Sequence, residues 1–203
     1  NYEKEQTQEI TRVASRRLLT WIDKKSDLAV TSRHIHDGLI SAVKVAHPRT
    51  IMASVVRDGD WYKLDYAHQL SHGARRMATQ IAEPKLNAFR EIAENLIVDG
   101  ELESAHDLVR QAVRLLEQSF DQLIRKAQLV GESVYADEMR EDGDFWAKCK
   151  REHGQGYRNR IIDLSADWFS EDAHQSSDQR VTNAVRESWN DGVARVRELL
   201  MST

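Results

Sequence analysis

Apolar residues recur at intervals of three and four along most of the chain, which is the spacing of one face of an α-helix. Over residues 3–24, Ile10, Val13, Leu18 and Trp21 keep this spacing. A second helix is expected from Ser26 to about Ala46, with Leu28, Ile35, Leu39 and Val43 inward; Pro48 ends it, because the residue before a proline is pushed out of the helical region. From Leu64 the pattern resumes through Ala67, Leu70, Ala74, Met77 and Ile81. Pro84 is expected to start or kink the next helix, along which Leu86, Phe89, Ala93 and Leu96 line up.

The strongest periodicity follows Asp99-Gly100. Leu102, Ala105, Val109, Ala112, Leu116, Phe120, Leu123, Ala127 and Val130 hold near-heptad spacing, which predicts one long helix over about 101–130. Its partner is another helix of this chain or of another subunit. After Gly131 an acidic helical stretch is expected, then a helix that begins near Tyr157 with Ile161, Leu164 and Trp168 on one side. In the last helix Val181, Val185, Trp189, Val193, Val196 and Leu200 face inward, with Ser176 and Gln179 placed to form a capping box. Between Thr50 and Leu64 the β-branched run and Asp58-Gly59 allow a small β-hairpin. A helix capped by Asp60 and starting near Trp61 competes with it.

The expected fold is therefore mostly α: a bundle of about 6–8 helices with that one long helix and, at most, a hairpin near 50–64. Sparse punctuation agrees, since the chain has 2 prolines and 9 glycines in 203 residues. Residues 1–203 are read as a single helical domain, a fragment or subunit of a larger protein or assembly. One cysteine, Cys149, excludes an intrachain disulfide framework and fits a cytoplasmic location. No apolar run is long enough to span a membrane.

Charge changes the picture more than composition does. The net charge of −4 argues against a uniform attraction to nucleic acid. Residues 1–100 carry 15 Lys+Arg against 13 Asp+Glu, and residues 101–203 carry 14 against 20. Much of the acidic excess lies in 132–144, directly before the basic stretch "KCKREHGQGYRNR" at 148–160. There Gly154 sits where a helix end needs a left-handed residue. Lys148, Lys150, Arg151 and His153 complement the negative end of that helix's dipole. Arg158 and Arg160 fall in the first turn of the next helix, where a cation is disfavoured unless a carboxylate or phosphate answers it. Protein carboxylates are the plainer answer. The alternative is a nucleic-acid or anion site built from Lys150, Arg151, Tyr157, Arg158 and Arg160, extended by Arg75 and Arg76 or by Arg110 and Arg114. The stretch is not a phosphate-binding P-loop, because no Lys-Ser/Thr follows the glycines.

Histidines carry the remaining candidate chemistry. His68 and His72 lie four apart on one helix face and can reach one metal. Together with His106-Asp107, and with Asp163 or Asp167 as a distant carboxylate, they resemble the metal site of HD-type phosphohydrolases. That resemblance implies a metal-dependent phosphohydrolase. It covers a few scattered residues, and His36-Asp37 repeats the same dipeptide; surface or helix-capping histidines are the ordinary alternative. Glu103-x-x-His106 and Glu171-x-x-His174 mimic di-iron spacing, and Glu91-x-x-Glu94 that of magnesium-binding helical pyrophosphatases, but each lacks its companion ligands. Trp61-Tyr62 and Phe145-Trp146, each beside "DGD", are candidate interface anchors. With no coherent catalytic set and no cofactor motif, the leading expectation is a non-enzymatic helical interaction or scaffold module. Its partner is expected to be a protein or a second copy of the chain, with nucleic acid as the alternative and no membrane.

Overall fold

The computed structural model describes residues 2–37, 61–99, 103–141, 151, 154–156, 159–160, 163 and 175–203. Among these, helix dominates and no strand occurs. Four long helices are α1 (Tyr2–Lys25), α2 (Trp61–Asp99), α3 (Glu103–Glu141) and α4 (Gln175–Met201), and residues 32–37 are also helical. Among the described residues no helix is long and apolar enough to cross a membrane.

Among the described residues five helices of six residues or more are found where about 6–8 were expected over the whole chain, and two expected breaks are absorbed. Pro84 lies inside the 39-residue α2 instead of starting a new helix. An interior proline costs about 3 kcal/mol by removing one amide and crowding the preceding turn. Around it Ala78, Ala82, Leu86, Phe89 and Ala93 are all buried. Burying Leu86 and Phe89 alone contributes about 1.5–3 kcal/mol each, so continuity wins. Gly131 does not end α3, which continues to Glu141; it is buried, and a Cβ there would lie 3.2 Å from the Ala74 Cβ. That glycine permits close helix packing and does not mark a turn. The expected hairpin fails over Trp61–Leu64, which are helical, and its residues 50–60 lie outside the described residues.

The helix expected from Ser26 starts instead at residue 32. Ser26 to Thr31 is a connector whose Leu28 and Val30 are buried. Thr31 caps the helix that follows: its hydroxyl accepts the His34 amide at 3.3 Å, and the Thr31 amide donates to His34 Nδ1 at 3.3 Å. This is a capping box with histidine in the place of the usual Glu or Gln. The capping box expected at Ser176 and Gln179 is not formed, since both lie within α4 and Gln179 Nε2 donates to Asn183 Oδ1.

The chain divides into two compact units, 1–29 with 79–123 and 186–203, and 30–78 with 124–185. The first unit has α1, α2 from Thr79, α3 to Leu123 and α4 from Arg186. Its core includes Leu18, Trp21, Leu86, Phe89, Leu116 and Trp189. The Trp21 and Phe89 rings lie 5.2 Å apart and tilted by 53°, within the range of favourable aromatic pairs. Trp189 Nε1 donates to the Ser26 carbonyl at 2.6 Å, which satisfies the one polar atom of a fully buried indole. Lys85 Nζ donates to the Lys25 carbonyl at 2.8 Å and so closes the C-terminal end of α1. The near-heptad seam of α3 is buried at Ala105, Val109, Ala112, Leu116 and Leu123 by neighbours in this same chain.

The second unit contains residues 32–37, α2 to Ala78, α3 from Ile124 and the start of α4. Its buried apolar residues, among them Ile35, Ala74, Ala78, Ala127, Val134, Val181 and Val185, are small or β-branched.

In the first unit α4 meets α3 at Gly192. A Cβ on Gly192 would lie 2.1 Å from Ser119 Oγ and 2.2 Å from Ser119 Cβ, so no side chain fits there without moving a helix. Gly192→Ala gains about 1 kcal/mol of helix propensity and loses about 1–3 kcal/mol to overpacking. A net loss of stability in urea unfolding is expected. Adding Ser119→Gly removes the clashing Cβ, leaving the Ser119 Cα 3.7 Å from the new methyl. The double variant should therefore be more stable than Gly192→Ala alone. Purely additive losses would show that the helices do not touch there.

Candidate functional site

The basic stretch at 148–160 folds back on itself where it is described. Arg151 is helical and exposed. Gly154 and Gly156 both take positive φ, 81° and 76°, as a left-handed turn requires. The Arg160 amide donates to the Gly156 carbonyl at 3.3 Å, and its guanidinium Nη1 donates to the Gln155 carbonyl at 2.8 Å. Part of the answer to Arg160 is thus a backbone oxygen of the preceding turn. Lys150, Tyr157 and Arg158 lie outside the described residues, as do Phe145 and Trp146. Trp61 and Tyr62 open α2.

Of the histidine candidates, the side chain of His68 lies outside the described residues. His68 and His72 lie on α2; His72 is exposed, His106 on α3 is half-buried and Asp107 is exposed. Among the described residues no group of three His, Cys, Asp or Glu side chains is placed to hold a metal. A different histidine has a close carboxylate. In the second unit His36 Nδ1 donates to Asp178 Oδ2 at 2.9 Å, with side-chain exposures of 18% and 5%. Asp178 sits in the first turn of α4, where the helix dipole favours a carboxylate. Thr182 Oγ1 donates to the Asp178 carbonyl at 2.7 Å. The pair is a part-buried tie between residues 32–37 and α4.

The first unit carries an open groove of about 270 Å³ between α2 and α3. α2 lines it with Arg90, Ala93, Glu94 and Ile97, and α3 with Arg110, Val113, Arg114 and Glu117. Both sets follow the same i, i+3, i+4, i+7 spacing, one stripe of a helix surface each. Ala93 is buried at the base, and Ile97 and Val113 are half-covered. Arg90 reaches across to Glu117, with Nη2 at 2.8 Å and Nε at 2.9 Å from Oε1. A partly exposed pair of this kind contributes at most about 1 kcal/mol, so it sets geometry more than stability. Arg110 and Arg114, one turn apart and exposed, have no hydrogen-bond or ion-pair partner among the described residues.

Sequence reading reached Arg110 and Arg114 only as an extension of another surface and Glu94 only within Glu91-x-x-Glu94, and it missed Arg90, Ile97 and Glu117. The matching charge stripes on two helices were the available signal. Seeing it required knowing that Pro84 leaves α2 continuous. The His36–Asp178 tie spans 142 positions and has no local signature.

No family model, no curated protein and no solved structure matches the chain. Two side-chain contacts separate cleanly by burial. Asp178→Ala strands His36 and should lower the unfolding free energy by about 1–3 kcal/mol. Arg90→Ala should cost about 1 kcal/mol or less. Equal losses in urea titrations would show that the His36–Asp178 tie is not buried.

Proposed function

We propose that the chain is a non-enzymatic helical interaction module that works within a larger assembly and docks through the α2–α3 groove of its first unit. The groove carries this reading. It has an apolar base, two half-covered aliphatic side chains and two arginines with no described partner. Surfaces of this composition suit association: an apolar centre supplies affinity and a charged rim supplies selection. The groove holds no nucleophile, no histidine and no paired carboxylates, so its chemistry favours recognition over turnover.

Nucleic acid is the second reading, supported by Arg151 and Arg160, which are both exposed. The acidic side chains Glu94 and Glu117 within the groove disfavour a phosphate backbone there.

Purified gently from cells that express it, the protein should elute as a complex heavier by light scattering than the 23.4 kDa of this chain. Val113→Glu, which places a charge at the half-covered centre, should return it to the monomer mass with unchanged far-UV circular dichroism. A wild-type protein that elutes as a free monomer would contradict the proposal.

A further inference from the structure

We infer that the α2–α3 groove seats one helix of a partner protein, an amphipathic helix with an acidic flank laid against Arg110 and Arg114. The inference rests on the interaction reading above and names its occupant. Two neighbouring helices that each expose an i, i+3, i+4, i+7 stripe form the seat that a third helix fills in a bundle. The centre of this seat is aliphatic, with Ala93 at the base and Ile97 and Val113 half-covered above it. Seven residues of helix span about 10 Å, so each stripe meets roughly two turns of the occupant.

Charge then selects the occupant. The Arg90–Glu117 pair is internally compensated. What remains is Arg110 and Arg114 on the α3 side and Glu94 on the α2 side. Two arginines one turn apart match two carboxylates one turn apart on a facing helix, and each guanidinium can take a carboxylate through two parallel hydrogen bonds. Glu94 calls for a cation on the opposite flank. A phosphate backbone would meet that carboxylate and would leave the aliphatic centre uncovered. A small free anion would satisfy the arginines but not Ile97 and Val113. An acidic-flanked helix is the occupant that answers all of these features.

The probe is a synthetic helical peptide of about 16 residues, long enough to hold some helix in water. It carries leucines at three–four spacing, glutamates one turn apart on one flank and a lysine on the other. Binding to the folded chain is read by isothermal titration. The acidic peptide should bind saturably and one to one. Arg110→Glu with Arg114→Glu should weaken it about tenfold or more, whereas Arg110→Lys with Arg114→Lys should retain most of the affinity. Both arginines are exposed, so these variants keep the fold, and circular dichroism checks this.

Equal binding of a peptide with glutamine for every glutamate would overturn the acidic specificity and leave the groove as a helix seat. Self-association lost in the Arg→Glu variant, without peptide binding, would assign the groove to a second copy and overturn the inference. Salt-sensitive binding of short duplex DNA or RNA, lost in the same variant, would overturn both the inference and the interaction reading. No binding of any probe would overturn the inference alone, since the elution mass of the native complex tests the interaction reading separately.

Discussion

The first unit depends on how closely α4 lies on α3. Gly192 leaves no room for a side chain against Ser119, and one turn earlier on the same helix stands Trp189. Trp189 is fully buried and hydrogen-bonded to the Ser26 carbonyl. The smallest residue and the largest side chain are thus used three positions apart on one face. The glycine brings the backbones together, and the indole anchors the connector that follows α1. Burying so large an apolar surface outweighs the conformational cost of a mid-helix glycine, which is about 1 kcal/mol.

This contact also decides which face of α3 is left over. With Ala112, Leu116, Ser119 and Leu123 committed inward, the stripe of Arg110, Val113, Arg114 and Glu117 is turned partly toward solvent beside α2. α2 repeats the arrangement: Leu86, Phe89 and Ala93 are buried, while Arg90, Glu94 and Ile97 border the groove. The groove is a by-product of helix rotation fixed by the core. It needs no loop to form it, so it stays as rigid as the helices that build it. The second unit is held differently, by small residues at Ala74 and Gly131 and by the His36–Asp178 tie.

The helical class and most inward positions were legible because helical periodicity is a local property. All nine residues of the α3 seam were read from the sequence; of the eight described for burial, six are buried, and Phe120 and Val130 are half-buried. Breaks were less legible. Pro84 and Gly131 are helix breakers by local propensity, and both sit inside long helices because tertiary burial outweighs a local cost of about 1–3 kcal/mol. Ser26 looked like a helix start, but its carbonyl is taken by Trp189, 163 positions away. Gly154 was read correctly as left-handed, since only backbone conformation was at stake. The groove could not be read from one helix at a time, because it exists only where two stripes are set side by side.

The most direct measurement of this arrangement is the hydrogen-exchange rate of the Trp189 indole N–H, followed by NMR. If α4 lies against α3 as described, that proton is buried, donates to the Ser26 carbonyl and exchanges only as slowly as global unfolding allows. Exchange near the rate of an exposed indole would contradict the close approach of α4 and the helix rotations that leave the groove open.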